Sequence, residues 1–270
     1  MKLSKIFLSL LLISLVMLST SCDKENVDER PNLPPVESMV MDFDDFQTNP
    51  TPGTKGIDDS YINFVHAFTN VAFWNAFTTI SLAVPVTSYG IALQQTPEYI
   101  GDDTWEWSYE FNIDVANYTA TLTGQRLSNE TFSMEMNIAL TSLPALKMKY
   151  FDGVCRYDHT HAEWNLYVNA QGTSVKVLEV EWTKDYETED ASMKYTYVEP
   201  GMNETDSFIL WEYDADAAYD ASYTIDLAAG IINIEWDTDT KAGRIMNPLF
   251  FEDSSWHCWN DLLQDTECPG

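Results

Sequence analysis

The stretch Trp105-Glu106-Trp107-Ser108-Tyr109-Glu110-Phe111-Asn112-Ile113-Asp114 alternates large apolar and polar residues without a break. Side chains along an extended strand point to opposite faces with period two, so this run is a strand dry on one side and wet on the other. The rhythm recurs. Phe132, Met134, Met136, Ile138 and Leu140 alternate with Thr131, Ser133, Glu135 and Asn137. Leu178, Val180 and Trp182 alternate with Val177, Glu179, Glu181 and Thr183, and Ile232, Ile234 and Trp236 with Asn233, Glu235 and Asp237. Shorter runs at 118–123, 162–168, 193–198, 207–213 and 222–227 behave alike, with Gly, Asn and Asp between many of them.

About nine or ten such strands joined by short connections predict a strongly curved antiparallel meander, either a half-barrel or a closed barrel, with a two-sheet sandwich as the other arrangement. A local echo accompanies them: Glu106-Trp107, Glu163-Trp164, Glu181-Trp182 and Glu235-Trp236 each set a tryptophan on the dry face and an acid on the wet one. The spacings are irregular, which excludes a solenoid repeat.

A one-sided sheet must cover its apolar face. The long apolar element available is a helix from Tyr61 to about Ala83, with N-caps in Asp58, Asp59 and Ser60 and a stop at Pro85. Ile62, Val65, Phe68, Val71, Ala72, Phe73, Trp74, Phe77 and Ile80 go round much of its circumference, which predicts a buried helix lying in the concave face. Asn63, His66, Asn70 and Asn75 argue against a membrane span. The expected class is mainly β (α+β), one domain over 58–270 packed around this helix. Over about 60–240 the design is similar to the half-barrel of the periplasmic lipoprotein carriers and their outer-membrane receptors. That resemblance implies a hydrophobic ligand such as a lipid or lipoprotein acyl chains.

The N-terminus carries Lys2 and Lys5, an apolar Ile6–Leu18 and then Ser19-Thr20-Ser21-Cys22. The apolar part is short for a membrane span. Small residues before a cysteine resemble the lipobox of bacterial lipoproteins, which implies removal of residues 1–21 as a signal peptide and acylation of Cys22 on its sulfur and its new amino group. Residues 22–57 then read as a lipidated flexible tether, rich in Asp23, Lys24, Glu25, Asp28, Glu29 and prolines 31, 34, 35, 50 and 52. Met41-Asp42-Phe43-Asp44-Asp45-Phe46 is a candidate docking segment within it. The acids after Cys22 resemble the export signal of surface lipoproteins of Bacteroidota, with Lys24-Glu25 present and an uninterrupted acidic run absent. The implied location is the outer membrane, at the cell surface or otherwise on its periplasmic face.

Forty-three acids face 14 basic residues, a formal charge of −29. Such a surface repels phosphate backbones and anionic headgroups, so nucleic acid is excluded as a partner and membrane attachment falls to the lipid. Of the remaining cysteines, Cys258 and Cys268 are expected to close a disulfide over a C-terminal cap in an oxidising compartment, leaving Cys155 as a buried thiol.

Three sets of residues are candidates for chemistry. His159, His161 and Glu163 would share one strand face at metal-ligand spacing, but that face is the wet one. Asp214, Asp216 and Asp220, with Asp237 and Asp239, offer hard oxygens for calcium yet match no EF-hand and read better as turn formers. Trp256-His257-Cys258-Trp259-Asn260-Asp261 would stack on sugars if exposed, and caps the sheet if buried. Met134, Met136 and Met193 on the dry face are core filler or the lining of an apolar cleft. No nucleophile elbow, P-loop or zinc-protease motif occurs. The expectation is a non-enzymatic, cofactor-free binding or scaffold subunit of an envelope complex. The alternatives are a hydrophobic-ligand carrier and a surface glycan-binding module.

Overall fold

In the computed structural model, which describes residues 30–46, 61–170 and 172–269, each of the nine alternating runs forms a strand, and five more join them. The strands are β1 Glu98–Gly101, β2 Thr104–Ile113, β3 Ala116–Arg126, β4 Thr131–Leu140, β5 Met148–Arg156, β6 His161–Ala170 and β7 Thr173–Lys184. They continue as β8 Ala191–Tyr197, β9 Phe208–Tyr213, β10 Ala221–Leu227, β11 Gly230–Trp236, β12 Gly243–Met246, β13 His257–Trp259 and β14 Asp265–Thr266. All fourteen form one antiparallel sheet in which every strand neighbours its sequence neighbours, and the sheet does not close. Period-two patterning fixes the register throughout. Trp107, Trp164, Trp182 and Trp236 are all buried on one face.

The helix, α1 (Ile62–Ala92), runs past Pro85 by two turns. Proline removes one backbone donor and normally ends a helix. Here tertiary contacts hold the continuation in place. Tyr109 on β2 donates to the Ser88 carbonyl, and Tyr89 donates to the Pro34 carbonyl at 2.7 Å. The Tyr89 ring also meets Phe151 and Trp164 edge-on. The start differs too. Asp58, Asp59 and Ser60 lie outside the described residues, Tyr61 occupies the cap position without a side-chain bond, and Asp265 on the last strand accepts from Ile62 N and Asn63 N at 3.1 and 3.0 Å. Its carboxylate satisfies orphan donors at the positive end of the helix. α1 therefore crosses the strands, from β12–β14 at its N-terminus to β2–β6 at its C-terminus.

Of the segment expected to be tether, residues 30–46 are instead part of the core, and residues 22–29 and 47–57 lie outside the described residues. Met39, Met41, Phe43 and Phe46 are buried. The segment has little regular structure, only two short 3-10 turns at Val36–Ser38 and Asp44–Phe46. Buried irregular backbone needs partners for its polar groups, and the sheet supplies them from every second strand. Trp164 on β6 donates to Ser38 O (2.9 Å), and Tyr195 on β8 donates to Met39 O (2.9 Å) while accepting from Met41 N (2.6 Å). Tyr223 on β10 donates to Asp42 O at 3.3 Å. Phe46 then packs on Trp236, Phe64 and Trp259.

These contacts require curvature. Four residues from Ser38 to Asp42 reach roughly 14 Å at full extension, whereas β6 and β10 would lie roughly 19 Å apart on a flat sheet. The inner surface is shorter than the sheet itself, so the sheet bends around the segment and the helix.

Close tryptophan packing dictates three glycines. Gly124 faces Trp107 and Gly243 faces Trp259. A Cβ on Gly153 would collide with the Glu163 carbonyl and the Trp164 ring. Gly153→Val is expected to cost about 1–3 kcal/mol, the usual penalty for overpacking, read as a lower urea midpoint with an unchanged slope.

Burial pushes up the hydroxyl pKa of Tyr89, Tyr109 and Tyr195, that of Tyr109 to about 12. A tyrosine whose folded pKa exceeds the unfolded value of about 10 contributes stability that is full below that value and lost as pH rises through the folded one. Alkaline unfolding is therefore expected between about pH 10 and 12, with far-UV circular dichroism and tyrosinate absorbance changing together. Early titration of every tyrosine with the fold intact would contradict this.

Candidate functional site

α1 is seated along only part of its circumference. Phe64, Ala67, Val71, Trp74, Leu82 and Tyr89 are buried against the sheet and the inner segment. The opposite side is open: Phe73 is 67% exposed and Ile80 is 80% exposed. The expectation of a helix buried all round is thus corrected, because an open sheet covers one flank of a cylinder and leaves the other to its surroundings.

Beside the seated stripe lies a cleft of about 810 Å³. One wall is helical, from Thr69, Asn70, Phe73, Trp74 and Phe77. The other comes from Tyr197 at the end of β8, the β8–β9 connection with Met202, Asn203, Glu204 and Ser207, and the β10–β11 hairpin with Ile225, Leu227, Ala228 and Ala229. Trp74 and Ile225 form the buried floor, and Phe73 and the half-exposed Met202 stand at the mouth. Glu204 is the one charged residue in this lining, in a chain with 43 acids. The Phe77 and Tyr197 rings meet edge-on at 5.6 Å, closing one end. The Trp74 indole N–H is buried, with no partner among the described residues. Trp236, packed on Phe46, carries a second such donor away from the cleft.

A second groove of about 540 Å³ flanks the other side of the seated stripe. Val36, Val40, Phe43, Leu82 and Val86 line it, but Glu37, Asp42 and Asp44 stand in its wall. It is the more polar of the two.

The residues predicted for chemistry fall elsewhere. His159 lies in the β5–β6 turn rather than on the strand, with φ at +56°, and its Nε2 is 3.0 Å from the Asn32 carbonyl. That removes it from the line of His161 and Glu163, which pair with each other at 3.2 Å on the outer face. Among the described residues, no three His, Cys, Asp or Glu side chains are grouped to hold a metal. Asp214 accepts from the Asp216 amide and Asp237 from the Asp239 and Thr240 amides, closing turns, while Asp220 accepts from Thr238 and ties two neighbouring loops together. Cys258 and Cys268 are joined, with Cα atoms 5.2 Å apart, and Cys155 is free and buried. Burial pushes the Cys155 thiol well up, away from the reactive thiolate. Trp259 is buried in this C-terminal cap and donates to Lys241 O. Trp256 stacks under Arg244. Met134, Met136 and Met193 are core residues and do not line the cleft. Cys22, and with it the lipobox, lies outside the described residues.

The cap is tied to the helix through His66. Asn247 Oδ1 accepts from the Leu249 and Phe250 amides, opening the short helix α2 (Pro248–Phe251), so its amide nitrogen faces His66 Nε2 at 2.8 Å. His66 Nε2 must then accept, and the ring is neutral. Burial lowers its pKa, and Phe250 stacks on it at 3.7 Å.

On the outer face, Asp152 gathers Lys149, Asn165 (2.7 Å) and Tyr167 (2.9 Å) across β5 and β6. Burial pushes its carboxyl up, but these donors outweigh that and hold it below the usual carboxylate range. This cluster pins adjacent strands.

The chain matches no protein-family model, and neither a curated protein nor a solved structure matches it. The fold and cleft stand as the description of its class: an open fourteen-stranded antiparallel meander curved around one uncharged helix.

Proposed function

We propose that this chain is a non-catalytic lipoprotein of the bacterial outer membrane, anchored through Cys22, whose domain binds a hydrophobic or amphiphilic small molecule. The observation that carries the reading is the cleft of about 810 Å³ between α1 and the β8–β11 connections, lined by one charged residue. Its size is that of small-molecule sites, which are mostly apolar with a few polar groups fixing orientation. Asn70, Asn203 and Ser207 would serve the polar end of such a ligand. A filled interior would instead have supported the scaffold reading. A glycan-stacking surface calls for exposed tryptophans, and all nine here are buried or half-buried. Anchoring rests on the leader and on Cys22, the lipobox cysteine.

Titration of the purified domain with a dansyl-labelled fatty acid is expected to saturate at one ligand per chain. Ala229→Trp, placed on an exposed turn of the cleft wall, should weaken binding by about tenfold or more, which is about 1.4 kcal/mol, without lowering the melting temperature. Absence of saturable binding, or equal binding by the variant, would rule out this cleft as the site.

Cys22→Ala is expected to leave the washed-membrane fraction while keeping its β-rich circular dichroism. Persistence in that fraction would show that something other than a lipid holds the protein there. Protease treatment of intact cells distinguishes surface display, in which the domain is digested, from a periplasmic orientation, in which it is protected.

A further inference from the structure

We infer that the open face of α1 lies in the headgroup region of the bilayer that carries the anchor, turning the mouth of the cleft toward the lipid. The inference rests on the lipoprotein reading above and adds the surface by which the domain meets the membrane.

Charge is the first ground. The 31 residues of α1 include no Asp, Glu, Lys or Arg, in a chain whose formal charge is −29. Its one basic ring, His66, accepts from Asn247 and is neutral. The convex face of the sheet carries acid after acid and is repelled by anionic lipid, whereas this helix face is not.

The second ground is the chemistry of the exposed side chains. Phe73 and Ile80 are seven residues apart, within roughly 20° of the same line along the helix. Ala76 and Ala83 lie about 60° round the helix from that line, and both are exposed. Three of the polar residues alongside direct their donors to acceptors on the helix itself. Thr69 Oγ1 donates to the Val65 carbonyl (2.8 Å), Asn70 Nδ2 to the His66 carbonyl (2.8 Å) and Thr79 Oγ1 to Asn75 Oδ1 (3.0 Å). A donor satisfied within its own helix loses little when water is withdrawn, which is how hydroxyl-bearing helices tolerate lipid.

Position is the third. Arg30 and Pro31 line a small pocket together with Ala92 and Leu93, so the chain enters the domain at the C-terminal end of α1. From Cys22 to Arg30 the backbone spans roughly 28 Å at most, less than the roughly 46 Å length of a 31-residue helix. An acylated Cys22 therefore holds this end of the helix close to the surface. Although α1 is long and apolar enough to cross a membrane, its N-terminal amides are tied to Asp265 and its seated side is packed on the sheet. It lies along the interface instead, its open flank turned to the lipid. Because Phe73 stands both in the open line and at the cleft mouth, a ligand would pass between bilayer and cleft without crossing bulk water.

The test uses the acylated full-length chain in palmitoyl-oleoyl phosphatidylcholine vesicles. A nitroxide label is placed at Ile80→Cys, repeated at Ala83→Cys and, as reference on the convex face, at Glu181→Cys. Cys155 is buried and Cys258 is bonded to Cys268, so the introduced thiol is the one that reacts. On vesicles, the ratio of oxygen to nickel-chelate accessibility is expected to rise severalfold at 80 and 83 and stay unchanged at 181. Labels at 80 and 83 reached by the nickel chelate as freely as the label at 181 would overturn the inference and leave the face to a protein partner. Mass spectrometry of Cys22 separates the two readings. An unacylated wild type sinks the lipoprotein reading and this inference with it, whereas an acylated chain with water-exposed labels sinks this inference alone.

Discussion

The interior is organised by the need of a buried, irregular backbone for hydrogen-bond partners. A segment such as Pro31–Phe46 bonds to itself only in two short 3-10 turns, and its buried backbone groups must find partners elsewhere. Trp164, Tyr195 and Tyr223, on β6, β8 and β10, present polar tips at the ends of large apolar bodies. They bury wide surfaces and still satisfy the Ser38, Met39 and Asp42 carbonyls. The spacing of those carbonyls along a short stretch of chain sets how tightly the sheet bends. Curvature brings α1 within reach of both β2 and β14, and the cleft is the space left where the helix departs from the hairpins. Each level follows from the one before it.

Much of this was legible in the alternation of residues. Trp107, Trp164, Trp182 and Trp236 lie on the dry face as the period predicts. The five further strands carry weaker signals. β5 breaks the alternation at Gly153, on the dry face because Trp164 needs its space, and at Val154, an apolar residue on the outer face. β1 and β12–β14 are too short to show a period. The length of α1 was misjudged because Pro85 carries a local stop signal, which Ser88 and Tyr89 override through distant partners, Tyr109 and Pro34. The tether reading of residues 30–46 failed for a related reason. Prolines and acids mask four buried apolar residues at positions 39, 41, 43 and 46 that follow no helical or strand period.

The cleft was less legible than the fold. Its walls join α1 to residues 197–229, and neither wall carries a motif. What the sequence does contain is a run from Ser60 to Pro97 without a charged side chain. That run reads naturally as burial, and only the topology shows that one flank stays open. The histidine and aspartate patterns misled in the opposite direction. They look like ligand sets but serve turns and a backbone contact.

The cap of α1 has a temporal consequence. Sheet pairing here is wholly between sequence neighbours, so each strand can dock as soon as it leaves the ribosome or a translocation pore. The ties that complete the interior run the length of the chain: Met41 to Tyr195, Asn63 to Cys258 and Ile62 to Asp265, the last across 203 residues. A chain cut short before β14 would possess nearly every strand and still lack its keystone, Asp265, whose carboxylate receives the first two amides of α1.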